Sequence, residues 1–88
     1  MRLLFTTQGQ SDLRHWATGD EATRQRLDEL LDCTRQQPFA GPGDPLPLRH
    51  LLAGCWSRRI NGEHRLVYLV DGDDVVVLQA RYHYESGS

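Results

Sequence analysis

Eighty-eight residues suffice for one small domain and leave no room for a second core. Ten basic side chains, every one an arginine, face twelve acidic ones for a net charge of −2, which excludes a polycation that grips nucleic acid by bulk charge. Leu, Ile, Val and Phe supply 21 of the 88 residues, so the core is modest, and no apolar run reaches membrane-spanning length. The opening Met1–Phe5 is too short for a signal peptide, so the expected compartment is the cytoplasm and no membrane partner is expected. Cys33 and Cys55 are expected as free thiols filling core positions, and no CxxC or Cys/His cluster points to zinc.

In chain order, Arg2 to Phe5 reads as a first strand. Thr7, with Gln10 three residues on, has the form of a capping box opening a helix on which Leu13, Trp16 and Ala17 recur at helical spacing. Gly19 closes that helix, and Asp20 caps a second one with Glu21 in its first turn, where the helix dipole favours an acid. Leu27, Leu30, Leu31 and Thr34 form its apolar stripe, so the two helices read as an antiparallel hairpin that needs a partner surface. All four prolines fall in Pro38 to Pro47, which reads as a stiff loop held in one shape.

Strand signals follow at Cys55 to Ile60, Arg65 to Val70 and Val75 to Tyr84, with turns at Asn61-Gly62 and Asp71 to Asp74 and an added edge strand at Leu48 to Leu52. Alternation in the last strand predicts Val76, Leu78, Ala80 and Tyr82 on an apolar face, and Gln79, Arg81 and His83 on the other. The fold class is therefore α+β: two N-terminal helices covering one face of a mainly antiparallel sheet of four to five strands. Residues 1–84 form a single domain and 85–88 a short tail.

Polar groups collect on the uncovered face. Between Arg49 and Arg65, four arginines (Arg49, Arg58, Arg59, Arg65) meet one acid, Glu63, with His50 and His64 in the same stretch. Arginine presents a planar fork matched to phosphate oxygens, so a phosphate-bearing partner suits this face; arginines paired with helix carboxylates are the plainer alternative. His83 can donate a proton near neutral pH. Cleavage of RNA by its own 2′-hydroxyl needs a base, cations around the crowded phosphorane, and an acid for the departing 5′ oxygen; arginines and a histidine supply the last two without a metal. The hairpin sets a condition. A two-residue turn at Asn61-Gly62 pairs Arg59 with His64 and puts Arg59 and Arg65 on opposite faces, whereas a three-residue loop pairs Arg59 with Arg65 on one face. Periodicity leans to the first.

The series Pro38-Phe39-Ala40-Gly41-Pro42-Gly43-Asp44-Pro45, Gly54-Cys55-Trp56-Ser57-Arg58-Arg59-Ile60, His64-Arg65-Leu66-Val67-Tyr68 and Arg81-Tyr82-His83-Tyr84 resembles the YoeB-type toxins of the RelE superfamily. The resemblance spans nearly the whole chain. It implies a microbial-RNase-like fold and a metal- and cofactor-independent endoribonuclease that enters the ribosomal A site of the 30S subunit and cuts mRNA there. It also implies neutralisation by a YefM-type antitoxin whose disordered segment folds on binding. By the same resemblance Arg59 and Arg65 hold the scissile phosphate, His83 is the general acid, Tyr84 positions substrate or stacks on a base, and Arg49 contacts phosphate or ribosomal RNA; Arg58, from the same basic stretch, is a further candidate for substrate or ribosomal RNA. A homodimer is left open.

One departure bears on activity. Where the family places a glutamate as general base this chain has Leu46, and the nearest carboxylate, Asp44, is the candidate substitute. Two rivals to an attenuated nuclease follow: a non-cleaving A-site-binding translation inhibitor, and an inactive module that only binds antitoxin.

Overall fold

The computed structural model describes residues 1–48 and 54–81. Its elements are β1 (Arg2–Phe5), α1 (Thr7–Ala17), α2 (Glu21–Gln36), β2 (Leu46–Pro47), β3 (Trp56–Arg59), β4 (Arg65–Asp71) and β5 (Asp74–Gln79). The five strands form one sheet in the order β1-β5-β4-β3-β2. Neighbours pair antiparallel except β1, which runs parallel to β5 from Arg2↔Asp74 to Phe5↔Val77. The α+β expectation of two helices on one face of a mainly antiparallel sheet therefore holds.

Thr6, one residue before the expected cap, opens α1: its Oγ1 accepts from the Gly9 amide at 3.0 Å. The shift has a cause in the sheet. The Thr6 amide donates to Val77 O, which keeps Thr6 extended (φ −68°, ψ 169°), the conformation a capping residue needs. Gly9 then lets α1 lie on β5, since a Cβ there would stand 2.5 Å from the Val77 carbonyl oxygen. Gly19 lies just past α1 and its amide bonds Trp16 O. Asp20 caps α2 as expected, accepting from both the amide and the hydroxyl of Thr23. Those two bonds hold its carboxyl below the ordinary carboxylate range.

Leu27, Leu30, Leu31 and Thr34 are all buried, as their spacing predicts, and pack with Trp16 against Leu66, Tyr68, Val75, Val77 and Ala80. Strict alternation on the last strand fails. Val75 and Val77 are core, whereas Val76 and Leu78 are half-buried. The register supplies the reason: Tyr68 pairs with Val77 but Val67 with Gln79, so β5 carries one extra residue. This bulge reverses the side-chain parity and returns Ala80 to the core side. Tyr82, the fourth residue of that expected face, lies outside the described residues, as do most of the edge strand expected at 48–52, the C-terminal part of the strand expected to reach Tyr84, and the tail 85–88.

The proline-rich stretch holds an edge strand of its own, β2, at Leu46–Pro47. An edge position tolerates a proline because no amide is demanded from that side. The remainder of the stretch is fastened by Arg58. Its guanidinium is fully buried and donates to the carbonyls of Gln37, Ala40 and Pro42 and to the Tyr68 hydroxyl, which itself donates to Pro38 O. Burial pushes the Tyr68 phenol up, so it stays protonated for that bond. Gly43 (φ +89°) passes so close that a Cβ would stand 3.0 Å from Leu30 and 3.1 Å from Arg58. Cys33 and Cys55 are free thiols, half-buried and buried.

Arg58→Ala is expected to cost about 3 kcal/mol or more, because it strands several buried acceptors at roughly 1–3 kcal/mol each. Urea unfolding reads this, and a loss under 1 kcal/mol would mean the loop keeps its shape by other means. The lowered carboxyl of Asp20 adds stability that is complete above the unfolded value of about 4 and disappears as pH falls through the native one. Asp20→Asn should flatten the acid limb of the stability curve and leave neutral pH nearly unchanged.

Candidate active site on the sheet face away from the helices

The hairpin between β3 and β4 adopts the three-residue alternative. Arg59 pairs directly with Arg65, the Ile60 amide bonds His64 O, and the Asn61 side-chain oxygen accepts from the amides of Glu63 and His64 at 2.9 Å each. Asn61 thus builds a local turn with its own side chain, a use periodicity does not register. Because side chains alternate, Arg59 and Arg65 share the face away from the helices, together with Ser57 and its β2 partner Leu46.

Directly opposed residues on neighbouring antiparallel strands have Cβ atoms about 4.5–5.5 Å apart, and like charges so placed repel. An anion between the two guanidinium groups relieves that cost. Arg59 is exposed, whereas Arg65 is 8% exposed and its Nε donates to Ser57 Oγ at 2.9 Å. Ser57 is itself buried, so it fixes the plane of the Arg65 fork from beneath. Sequence reading passed over Ser57; the signal was its position two residues before Arg59 on the same strand face.

Two residues expected on this face turn inward. Arg58 is buried among loop carbonyls and is not available to RNA, a correction that follows from its odd place in β3. His64 is half-buried, its ring edge-on to Trp16 with centroids 4.9 Å apart. Leu46 is 52% exposed and presents a hydrocarbon chain beside Ser57. Asp44 is exposed with φ +50°, next to Gly43, whose carbonyl accepts the Arg59 amide at 2.7 Å. Its backbone therefore stands level with Arg59. Arg49, His50, His83 and Tyr84 lie outside the described residues. Among the described residues no group of three or more His, Cys, Asp or Glu could hold a metal ion.

This geometry sets two guanidinium groups on one face of the hairpin, with the apolar Leu46 beside Ser57 on the same face. Residues 5–84 match the family model of the YoeB-like toxin of bacterial type II toxin-antitoxin systems. Toxin YoeB of Streptomyces coelicolor is 46% identical over 84 residues, covering 96% of this chain and all of that protein, and Toxin YoeB of Escherichia coli K12 is 43% identical over the same span. Among solved structures, the YoeB/ParE toxin from Agrobacterium tumefaciens superposes with a TM-score of 0.90 at 40% identity, covering 96% of this chain and 100% of that one. YoeB in the heterotetrameric YoeB-YefM complex from Staphylococcus aureus gives 0.85 at 34% identity, covering 96% and 98%. The chain belongs to the YoeB family of bacterial type II toxins.

Proposed function

We propose that this toxin is a ribosome-dependent mRNA endoribonuclease, attenuated by Leu46. The observation that supports the reading is the direct Arg59↔Arg65 pairing, with Ser57 bonded to Arg65 Nε, which sets two guanidinium groups on one strand face; such a pair suits a phosphodiester. The 2′-hydroxyl oxygen attacks phosphorus, the bond to the 5′ oxygen breaks, and the charge that builds on the phosphorane is met by Arg59 and Arg65. His83 is proposed to protonate the departing 5′ oxygen, Tyr84 to orient the nucleotide, and Arg49 to hold flanking phosphate or ribosomal RNA. The scheme uses no metal or cofactor. With leucine at position 46 the 2′ proton leaves to water or to Asp44, and loss of a positioned base is worth on the order of 10²–10⁴ in rate. Partners under this reading are mRNA in the 30S A site and a YefM-type antitoxin, supported by the solved YoeB-YefM complexes, and a second copy of the chain, supported by the YoeB dimer from Staphylococcus aureus. Its expected place is the cytoplasm, where ribosomes are.

The exposed Leu46 favours a second reading, a toxin that occupies the A site and arrests translation without cutting.

Ribosomes programmed with a defined A-site codon separate the two. Slow cleavage by the natural chain, a rise of roughly 10² or more with Leu46→Glu, and loss with His83→Ala are expected. Arrest over intact mRNA, insensitive to His83→Ala, selects the second reading, and uninterrupted translation at high toxin concentration overturns both. Ser57→Ala should slow cleavage by about tenfold, the worth of one hydrogen bond to a charged group, and lower the unfolding midpoint as well, because the bond it removes is buried.

A further inference from the structure

Attack by a ribose 2′-hydroxyl requires a group to receive its proton, and a carboxylate can do so when it stands near the phosphate. Among the described residues the carboxylates are spread unevenly about the arginine pair. Those of α1 and α2 lie on the far side of the sheet. Asp71, Asp73 and Asp74 sit at the turn between β4 and β5, at the opposite end of β4 from Arg65. Glu63 stands 3.6 Å from His64 Nε2, and the His64 ring packs against Trp16 on the covered side. Leu46, beside Ser57 on the outward face, offers only hydrocarbon. Asp44 is different. It is exposed, and the residue before it bonds directly to Arg59.

The backbone puts Asp44 there by an irregularity. Leu46 pairs with Ser57, and two residues further along β3 the Arg59 amide donates to Gly43 O at 2.7 Å. Two residues of β3 are thus matched by three of the facing chain, so the facing chain bulges between Gly43 and Leu46. Asp44 lies in that bulge with φ +50°, the one positive φ at a non-glycine residue among those described. Glycine takes up such a conformation freely, whereas an aspartate does so at a cost. Its neighbours keep it from relaxing. Gly43 is wedged at φ +89°, where a Cβ would stand 3.0 Å from Leu30 and 3.1 Å from Arg58, and Pro45 has a fixed φ of its own. Within the described residues the Asp44 carboxylate makes no hydrogen bond or ion pair that would account for its retention. A side chain kept at a strained bulge beside a charged pair points to use at that pair.

We propose that Asp44 is the proton acceptor for a phosphodiester held at Arg59 and Arg65. Its carboxylate takes the 2′ proton as the 2′ oxygen bonds to phosphorus. The bond from phosphorus to the 5′ oxygen breaks and leaves its electron pair on that oxygen. Once that oxygen is protonated, the ends are a 2′,3′-cyclic phosphate and a 5′-hydroxyl, and Asp44 gives its proton up to water. This role rests on the endoribonuclease reading and chooses between the two acceptors, water and Asp44, that the reading leaves open.

The test is a double-substitution cycle on ribosomes programmed with a defined A-site codon, read as cleavage rate. Asp44→Asn keeps the size of the side chain and removes the base, and should lower kcat by about tenfold or more with KM within about twofold. In the Leu46→Glu chain a second carboxylate stands on the outward face beside Ser57, so there Asp44→Asn should change kcat less than about twofold. A residue that merely shaped the loop would cost the same in both chains. Asp44→Gly suits the left-handed backbone, so its urea midpoint should equal or exceed that of the natural chain while its kcat falls as for Asp44→Asn. It also preserves the test should Asp44→Asn fold poorly. Equal kcat in the natural chain and Asp44→Asn overturns the proposal and leaves the endoribonuclease reading standing. The same loss in the Leu46→Glu chain overturns it, as does an Asp44→Gly midpoint far below the natural one. If the natural chain leaves the mRNA whole at high concentration, proposal and reading fall together.

Discussion

Asn61 accepts two amide hydrogens with one side-chain oxygen, and by doing so sets the pairing of β3 with β4. Arg59 then faces Arg65, and the alternation of side chains follows without further choice: Arg59, Arg65 and Ser57 outward, Arg58 and Leu66 inward. A slip of β3 by one residue would exchange the assignments of Ser57, Arg58 and Arg59. Arg59 would be driven beneath the proline-rich loop, Arg58 would lose its carbonyls, and the paired cations would part. The charge arrangement outside and the loop anchor inside are two results of a single hairpin.

The inward arginine is as consequential as the outward ones. A buried guanidinium is tolerated only where acceptors surround it, and the loop from Gln37 to Pro42 is folded so that its carbonyls do so. The arrangement fixes the chain just before β2, and β2 is what brings Leu46 alongside Ser57. Core and site are therefore linked by hydrogen bonds rather than by bulk packing. On the opposite flank, α1 reaches the end of β5 in the same manner, through Asp12 and Trp16.

Much of this was readable in the chain. The apolar stripe of α2, the Asp20 cap and the strands flanking Asn61 depend on short-range rules, and each lies within a residue or two of its expected place, whereas the strand after Gly72 ends at Gln79 and does not continue through Ala80 and Arg81 as expected. Three features were not readable, for separate reasons. The bulge in β5 depends on how that strand meets β4, so no pattern within β5 announces it. The fate of Arg58 depends on a loop some twenty residues earlier folding over it, a partnership invisible to local composition. The hairpin register depended on whether Asn61 would serve as a turn residue through its backbone or through its side chain. The family resemblance carried the arginine pair past that ambiguity, because it rests on the motifs themselves rather than on periodicity.

The parallel pairing of β1 with β5 joins Arg2 to Asp74 and Phe5 to Val77, with nearly the entire chain between them. The slot between β1 and β4 stays empty until residues 74–79 are available to fill it. A polypeptide still being synthesised meanwhile exposes Val75's future neighbours and leaves α1 without the strand on which it lies. Closure of so distant a contact is slow. The fold of this toxin therefore cannot be completed until residues 74–79 have emerged from the ribosome that makes them.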